Sequence, residues 1–322
     1  MSKKPSFQQP SQASTASESE KLQKILARGG LGSRRGVEKL IAQGRVSVNG
    51  KLAKLGDRAH FSDRIEVNGQ AIKATRLAPQ LTRVLLYNKP EGEVCTRQDE
   101  QGRPTVFAAL PRIINSRWVS VGRLDLNTSG LLLLTNNGEL ASRLMHPSQE
   151  MMRVYSVRVF GKLTDEHLAQ LKKGVPLEDG PASFDQVSRL PQQDQDAANH
   201  WLKVSLKEGR NREVRRLFEA VGLQVNRLIR TRYGDWSLTR DLRQGKTREV
   251  TWKQVNELLT QVGLPSDPRP CPKMRPRASA CKAAASPSKA SLPSTKKGAN
   301  HDELGGSGLF FSDHAVAGWL DF

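Results

Sequence analysis

The chain has 322 residues, enough for one large domain or two ordinary ones, and its low hydrophobic share of 37% predicts that part of it is tail. A net charge of +19 attracts polyanions, so nucleic acid is the first candidate partner and an anionic membrane surface the second. The sequence contains no apolar run of transmembrane length, no signal-peptide core, and three scattered cysteines that fit neither a disulfide framework nor a zinc site, so we expect a cytoplasmic protein without a bound metal.

The chain is predicted to begin with a disordered arm, residues 1–19, in which Ser and Gln dominate without an apolar period. Two short helices follow. Apolar residues at helical spacing mark the first helix, which Gly29-Gly30 ends. Ser33 is placed to cap the second helix.

Two hairpins are predicted after these helices. Asn49-Gly50 and Asn68-Gly69 each follow a short alternating strand, which is a strong hairpin signal. Residues 20–72 are therefore expected to form a small domain of two helices packed on a sheet. A polar linker that contains a proline, residues 73–81, should follow it.

The polar side of the two helices is basic. Acids are scarce on it, so a surface that binds nucleic-acid phosphates is at least as well supported as a solvated charged face. The residues that we predict to bind RNA there are Lys21, Lys24, Arg28, Arg34, Arg35 and Lys39.

A second domain is predicted at residues 82–263, beginning with a strand over 84–87. The remaining segment, 264–322, is rich in Pro, Ala, Ser and Lys and should be a disordered basic tail. The apolar end of that tail, 309–322, is either a docking peptide or a frayed terminus.

One carboxylate, Asp125, lies in a polar turn between two strand-like runs, 118–121 and 131–134. A carboxylate on a loop held by buried strands is a common arrangement for a reactive group. The alternative is an aspartate that only caps the turn.

An amphipathic helix is predicted from a stripe of apolar residues, Val214, Leu217, Phe218 and Val221. Arg215 lies at the edge of this stripe, where partial burial calls for a carboxylate partner. Asp125 is a partner that the fold could supply, and Glu213 and Glu219 are exposed alternatives on the same helix. Arg212 and Arg216 point further outward and should stay free for phosphates. The alternative is an ordinary surface helix with a structural arginine.

Tyr155 lies in a strand predicted over 154–160, on the face that it shares with Val157 and Val159. It is either a core tyrosine or an aromatic platform on which a flipped base stacks.

Taken in order, these segments resemble the ribosomal RNA pseudouridine synthases that carry an S4 domain, over about residues 20–259. The N-terminal part, from Gly-Leu-Gly-Ser-Arg-Arg to Arg-Val-Ser-Val-Asn-Gly, resembles the S4 RNA-binding module. The segments that carry the rest are Asn88-Lys-Pro, Gly122-Arg-Leu-Asp-Leu-Asn-Thr-Ser-Gly, Tyr155, Glu208-Gly-Arg-Asn-Arg-Glu-Val-Arg-Arg and Leu228-Ile-Arg-Thr-Arg-Tyr-Gly.

The resemblance implies an α+β fold whose second domain is built on a mixed, mainly antiparallel sheet with flanking helices. It implies that Asp125 is the nucleophile, that Tyr155 stacks on the target base, and that Arg215 pairs with Asp125. Arg123 joins Arg212 and Arg216 as an expected RNA contact.

The resemblance implies no cofactor and no metal, because isomerising uridine adds and removes nothing. The implied partner is large-subunit ribosomal RNA, as a precursor or assembly intermediate, bound by a monomer without a membrane. Three alternatives stay open: a glycosidase, which usually needs two carboxylates; a catalytically silent RNA-binding assembly factor; and the same chemistry on another RNA.

Overall fold

The computed structural model describes residues 19–191 and 198–268. The predicted N-terminal arm and basic C-terminal tail, with its apolar end, therefore fall almost entirely outside the described residues. The predicted fold class is confirmed: helices flank a mixed sheet in which antiparallel pairs predominate. In the part of the chain that the structure describes, no helix is long and apolar enough to cross a membrane.

Residues 19–78 form what we call the N-terminal lobe. Ser33 caps its second helix as predicted, since its Oγ accepts the Gly36 amide at 2.9 Å. Both Asn-Gly pairs take the left-handed conformation that tight hairpins require, with φ of 52° and 79° at Asn49-Gly50. The elements are β1 (Glu20–Lys21), α1 (Leu22–Arg28), α2 (Arg34–Ala42), β2 (Val46–Val48), β3 (Lys51–Leu52), β4 (Arg58–Ala59), β5 (Ile65–Val67), β6 (Gln70–Ala71) and α3 (Ala74–Leu77).

The predicted linker is partly helical. Its helix α3 carries Leu77, which is fully buried in the core beneath α1 and α2. Arg28 donates to the Leu77 carbonyl and Arg76 donates to the Gly29 carbonyl, at 2.8 Å for Arg76. The start of the linker therefore packs as part of the N-terminal lobe, while the domain limits of 20–72 and 82–263 stay a prediction.

Residues 79–268 form the C-terminal lobe. Its strands are β7 (Val84–Lys89), β8 (Val119–Val121), β9 (Ser129–Thr135), β10 (Arg153–Phe160), β11 (Val175–Leu177), β12 (Gly180–Ala182), β13 (Gln186–Arg189), β14 (Asn199–Leu206), β15 (Gln224–Tyr233), β16 (Trp236–Ser237) and β17 (Thr247–Glu249). Its helices are α4 (Gly138–Met145), α5 (Asp165–Lys173), α6 (Glu213–Ala220) and α7 (Trp252–Gln261), with a 3₁₀ turn at Pro147–Gln149.

The main sheet has the order β13-β14-β10-β15-β9-β7-β17, with β8 beside β9 and β16 beside β15. Among the described strands of this sheet, every pair is antiparallel except β15 with β9. This parallel pair lies in the middle of the sheet and joins the strand after the Asp125 turn to the strand after α6. The two chemistry-bearing segments predicted from sequence are therefore neighbours.

Strand β9 is buried on both faces, which explains its unbroken run of leucines. Leu131 and Leu133 pack into the core beneath α4 and α7. Leu132 and Leu134 pack into a separate core on the opposite face of the sheet. A strand covered on both sides loses the polar alternation of a half-exposed strand, and here it gives the Asp125 turn a rigid support.

Gly130 allows β9 to pack closely against β15. It has a φ of +102° and pairs with Arg230, and a Cβ at this position would lie 2.3 Å from the Arg230 carbonyl oxygen. Only glycine combines this conformation with so close an approach of two backbones.

Candidate active site

A cleft of about 470 Å³ opens where the Asp125 turn, β10, β15 and the loop before α6 meet. Its charged lining is mostly basic. The charged residues that line it are Asp125, Glu213, Arg123, Arg153, Arg210, Arg212 and Arg230. We call it the Asp125 pocket.

Asp125 is partly buried in this pocket, and its carboxylate accepts no hydrogen bond from the described residues. The turn is instead closed by backbone, because the Thr128 amide donates to the Asp125 carbonyl at 3.1 Å. The carboxylate therefore does not cap the turn, which was the alternative reading of this residue. It is directed to the pocket and left available to a bound molecule.

A buried lysine holds the turn in place. Lys89, at the end of β7, is fully buried, and burial lowers the pKa of its ammonium group. Its Nζ donates to the carbonyl oxygens of Pro90, Thr128 and Asp125 at 2.9, 2.9 and 3.2 Å, with that of Leu126 at 3.5 Å. The ammonium group thus binds carbonyl oxygens at both ends of the Asp125 turn and holds them close together.

Arg215 lies behind the turn rather than in the pocket. It is 7% exposed, and its two terminal nitrogens donate to the carbonyls of Asn127 and Val225, each at 2.8 Å. No carboxylate oxygen lies within 4.0 Å of it in the described residues. Burial and then the charge of Arg212 lower the pKa of Arg215, whereas the charge of Asp125 raises it.

The expected partner for Arg215 was a carboxylate, and the acceptors in the structure are backbone carbonyls of the turn and of β15. Arg215 reaches Asp125 through Asn127, two residues along the same turn. The structure shows no direct ion pair between Arg215 and Asp125, and the pairing of these two residues stays a prediction.

Tyr155 lies in the core and also at the wall of the pocket, and its stacking on a base stays a prediction. It is 8% exposed and belongs to the core that includes Val157 and Val159, as the alternation predicted. It also lines the Asp125 pocket. A ring that is supported from behind by core residues and exposed on one side to a pocket can stack on a planar ligand.

The wall of the pocket carries two buried polar atoms without partners. Arg230 is 3% exposed, its Nε donates to the Leu131 carbonyl at 2.8 Å, and its guanidinium lies 5.0 Å from the centre of the Tyr233 ring. Its Nη2 and the Thr128 hydroxyl have no hydrogen-bond partner within the described residues. Buried polar groups usually have partners, so these two atoms are exceptions in the wall of the pocket.

The remaining arginines divide into engaged and available groups. Arg153 donates to the Met151 and Glu208 carbonyls at 2.9 and 3.0 Å. Arg210 pairs with Glu208 at 2.6 Å. Within the described chain, Arg123 and Arg212 have no ion-pair partner, and both line the pocket. Their contact with RNA stays a prediction.

The expectation that Arg216 is free is wrong. Both of its terminal nitrogens donate to the Asp179 carboxylate at 2.9 Å, in a bidentate pair. Asp179 lies in the turn between β11 and β12, far away in sequence, so the helix pattern gave no sign of it. A contact between Arg216 and RNA stays a prediction, and it would compete with this pair.

The basic face of the N-terminal lobe is also partly engaged. Lys24 lies 3.0 Å from Glu20, and Arg28 pairs with the same carboxylate. Four residues of the predicted face have no ion pair among the described residues: Lys21, Arg34, Arg35 and Lys39. The phosphate-binding role of the whole set stays a prediction.

Sequence reasoning assigned no individual role to Lys89, Thr128 or Arg230. A signal existed for Lys89, because it ends a strand whose other residues are nearly all apolar. Glu213 was expected to be exposed, but it is 4% exposed and accepts the Arg210 amide at 3.0 Å. Burial raises the pKa of the Glu213 carboxyl.

Metal ligands do not converge in the described residues, where no group of three or more His, Cys, Asp or Glu side chains could hold an ion. The expectation that no cofactor is needed stays a prediction.

Comparison with known proteins places both lobes. Residues 83–220 match the family described as RNA pseudouridylate synthase, and residues 20–65 match the S4 domain. Ribosomal large subunit pseudouridine synthase B of Pasteurella multocida is 56% identical over 252 residues, which are 78% of this chain and 72% of that protein. The protein of the same name from Escherichia coli K12 is 55% identical over 251 residues, or 77% of this chain and 85% of that protein.

A solved structure supports the same placement. A crystal structure of a pseudouridylate synthase superposes with a TM-score of 0.51 and 26% sequence identity, covering 74% of this chain and 99% of that one.

Proposed function

We propose that this chain, which belongs to the family of RNA pseudouridylate synthases, isomerises a specific uridine of large-subunit (23S) ribosomal RNA to pseudouridine. The single observation that carries the proposal is the state of Asp125. Its carboxylate lies without a hydrogen-bond partner from the described residues, in a pocket whose other charged groups are mainly arginines. The names of the 55–56% identical relatives support the choice of RNA.

The reaction breaks the N1–C1′ bond of uridine and forms a C5–C1′ bond. N1 gains a proton and C5 loses one, so no atom is added and no electron is lost. In our proposal Asp125 is the nucleophile, attacking either the base or the sugar, or else assisting departure of the base. The arginines that line the pocket surround this carboxylate with positive charge.

The other roles follow from position. The target base must leave its stack to reach Asp125, at a cost of a few kcal/mol. We assign to Tyr155 the task of stacking on the flipped base. Contacts of Arg123 and Arg212 with phosphates would offset the cost of flipping. Arg215 positions Asp125 by fixing the turn through Asn127.

The free Nη2 of Arg230 and the Thr128 hydroxyl suit a base in the pocket. Uracil presents carbonyl oxygens, which accept hydrogen bonds, and an N3–H group, which donates one. A guanidinium and a hydroxyl can meet both needs. These two atoms without partners thus support the proposal that the pocket binds a polar, planar base.

Several finer points belong to the same proposal. We propose that the enzyme acts in the cytoplasm as a monomer, without a cofactor, on a precursor or assembly intermediate of the large subunit. The main alternative is a catalytically silent assembly factor that binds RNA. The open Asp125 carboxylate favours the enzyme, because a binder of polyanions gains nothing from a free negative charge in its pocket.

Pseudouridine mapping of ribosomal RNA tests the proposal. Cells without the gene should lack pseudouridine at one site of 23S ribosomal RNA, and the unaltered gene should restore it. Supplying Asp125→Asn at the same protein level should not restore it. An unchanged map in cells without the gene would overturn the proposed substrate, and restoration by Asp125→Asn would overturn the role of the carboxylate.

A further inference from the structure

A second cleft, of about 250 Å³, lies between the two lobes and away from the Asp125 pocket. The N-terminal lobe contributes the faces of α1 and α2, and the C-terminal lobe contributes the loop before β8 and the start of α4. The charged residues that line it are Glu20, Lys24, Arg28, Arg34, Arg117, Glu139 and Asp267. We call it the interlobe cleft.

The lobes touch directly beside this cleft. Gly30 follows α1 with a φ of +75°, and a Cβ there would lie 3.0 Å from the Ser116 carbonyl oxygen. Ser116 precedes Arg117, so the same contact that joins the lobes sets the position of Arg117. This close backbone approach makes the cleft a defined feature of the fold.

Every acid in the interlobe cleft has a partner. Glu20 pairs with Lys24 and Arg28. Glu139 pairs with Arg143 at 3.4 Å, and Asp267 accepts the Thr82 amide. Glu20 and Glu139 are therefore engaged by other cations, whereas Asp267 forms no ion pair in the described residues. The cations of the cleft without an ion pair in the described residues are Arg34 and Arg117.

Arg34 and Arg117 come from different lobes and face the same space. Neither side chain has a hydrogen bond or ion pair with another described residue. Arg117 is partly buried, and burial, followed by the charges of Arg97 and Arg34, lowers the pKa of its guanidinium. Two like charges brought together by folding repel each other, and an anion between them would remove that cost.

Arg34 lies beside the start of α4. Its Nη2 lies 3.9 Å from the position that a Cβ on Gly138, the first residue of α4, would occupy. The Asn137 side chain already accepts the amides of Glu139 and Leu140, so these two donors of the helix end are occupied. The positive charge that faces the cleft without a partner therefore comes from the two arginines.

We propose that a backbone phosphate of the RNA binds in the interlobe cleft, bridging Arg34 of the N-terminal lobe and Arg117 of the C-terminal lobe. Guanidinium groups form bidentate, charge-assisted hydrogen bonds with phosphate. The bridge adds a link between the lobes that exists only when RNA is bound, beside their direct contact at Gly30 and Ser116. The proposal depends on the proposed function only in taking RNA as the ligand.

RNA binding by the full chain tests the bridge. Arg34→Gln and Arg117→Gln are each expected to weaken binding of a 23S ribosomal RNA transcript about 3- to 10-fold. The double variant should bind little worse than the weaker single variant, because both side chains hold one phosphate. Plots of log affinity against log salt should lose about 0.7–0.9 in slope in all three variants, the loss of one phosphate contact.

Two matched controls sharpen the comparison. Arg112→Gln changes an exposed arginine in the same loop that does not line the cleft, and it should leave affinity within about 2-fold. Arg35→Gln changes the neighbour of Arg34 on α2. When it is combined with Arg117→Gln, the fold-losses in RNA affinity of the two single variants should multiply. If the losses of Arg34→Gln and Arg117→Gln also multiply as independent factors, the shared phosphate is refuted.

Melting without RNA separates a binding role from a structural one. Removing one of two repelling charges should leave the melting temperature of Arg117→Gln unchanged or raise it. A lower melting temperature with unchanged RNA affinity would make Arg117 structural and overturn the proposal. A third outcome is that inorganic phosphate raises the melting temperature of the unaltered protein more than chloride does at equal ionic strength, while Arg117→Gln keeps its RNA affinity. This outcome would assign the cleft to a free anion and overturn the proposal.

Binding is read by fluorescence anisotropy and needs no turnover. If the proposed phosphate bridge is wrong, the unaltered protein can still form pseudouridine. If the proposed chemistry is wrong, the effect of the variants on anisotropy is still expected, so the two outcomes are distinguishable.

Discussion

At the scale of single residues, the candidate site depends on groups that hold Asp125 without touching its carboxylate. Lys89 binds the carbonyls of the turn from one side, and Arg215 binds the Asn127 carbonyl from the other. The sequence predicted where Asp125 and Arg215 lie on their elements. It could not predict which groups accept hydrogen bonds from Lys89 and Arg215, because the acceptors are backbone carbonyls, which every residue has.

Lys89→Met should loosen the turn. The change keeps most of the apolar stem but removes the ammonium, which leaves the carbonyls of Pro90, Asp125 and Thr128 without this donor. Because an unsatisfied buried polar group costs about 1–3 kcal/mol, we expect a loss of roughly 2–4 kcal/mol in the free energy of unfolding. Urea unfolding measures it.

A matched substitution is Lys246→Met, which removes an amine that forms no ion pair in the described residues and should change stability by less than about 0.5 kcal/mol. Equal stabilities of the two variants would show that the carbonyl contacts of Lys89 do not hold the turn.

At the scale of elements, local signals were reliable and long-range pairing was not. The Asn-Gly hairpins and the cap at Ser33 involve neighbours in sequence, so residue type alone predicts them. The parallel pairing of β15 with β9 joins residues about 100 positions apart. No spacing in the sequence encodes such a pair, although it brings Arg230 to the Asp125 turn.

Gly130→Ala should break that junction. The added methyl group would lie 2.3 Å from the Arg230 carbonyl, at a φ of +102°. We expect a loss of about 3 kcal/mol or more in the free energy of unfolding, since strain at a special backbone conformation adds to a steric clash. Pseudouridine formation should fall with it, as the turn and β15 separate.

Gly92→Ala is the matched control for this change. Gly92 also has a positive φ, of +86°, but nothing lies within 4 Å of the position its Cβ would take. It should therefore cost only about 1 kcal/mol, the conformational part alone. If both variants lose the same stability, the close contact between β9 and β15 has no energetic role.

At the scale of the whole molecule, the net charge of +19 predicted a polyanionic partner and the family matches agree with it. Composition could not say which basic residues are free. The structure shows that Lys24, Arg28 and Arg216 form ion pairs, while Arg123 and Arg212 line the pocket. Charge counts therefore overestimate the surface available to RNA.

Removing the N-terminal lobe should weaken RNA binding and reduce its salt dependence. The cut must follow Leu77, which is fully buried in the core of that lobe, so residues 1–78 should be deleted. Each lost phosphate contact lowers the salt slope by about 0.7–0.9. A slope equal to that of the full chain would show that the lobe makes no phosphate contacts.

The central claim is that Asp125 performs the isomerisation. Forming the C5–C1′ bond expels the hydrogen on C5, so a 23S ribosomal RNA transcript carrying [5-³H]uridine reports the reaction as tritium released to water. The full chain in excess over the transcript should release tritium, and Asp125→Asn should release none while binding the RNA within a few-fold of the unaltered protein. Release by Asp125→Asn at a rate near that of the unaltered protein would contradict the account.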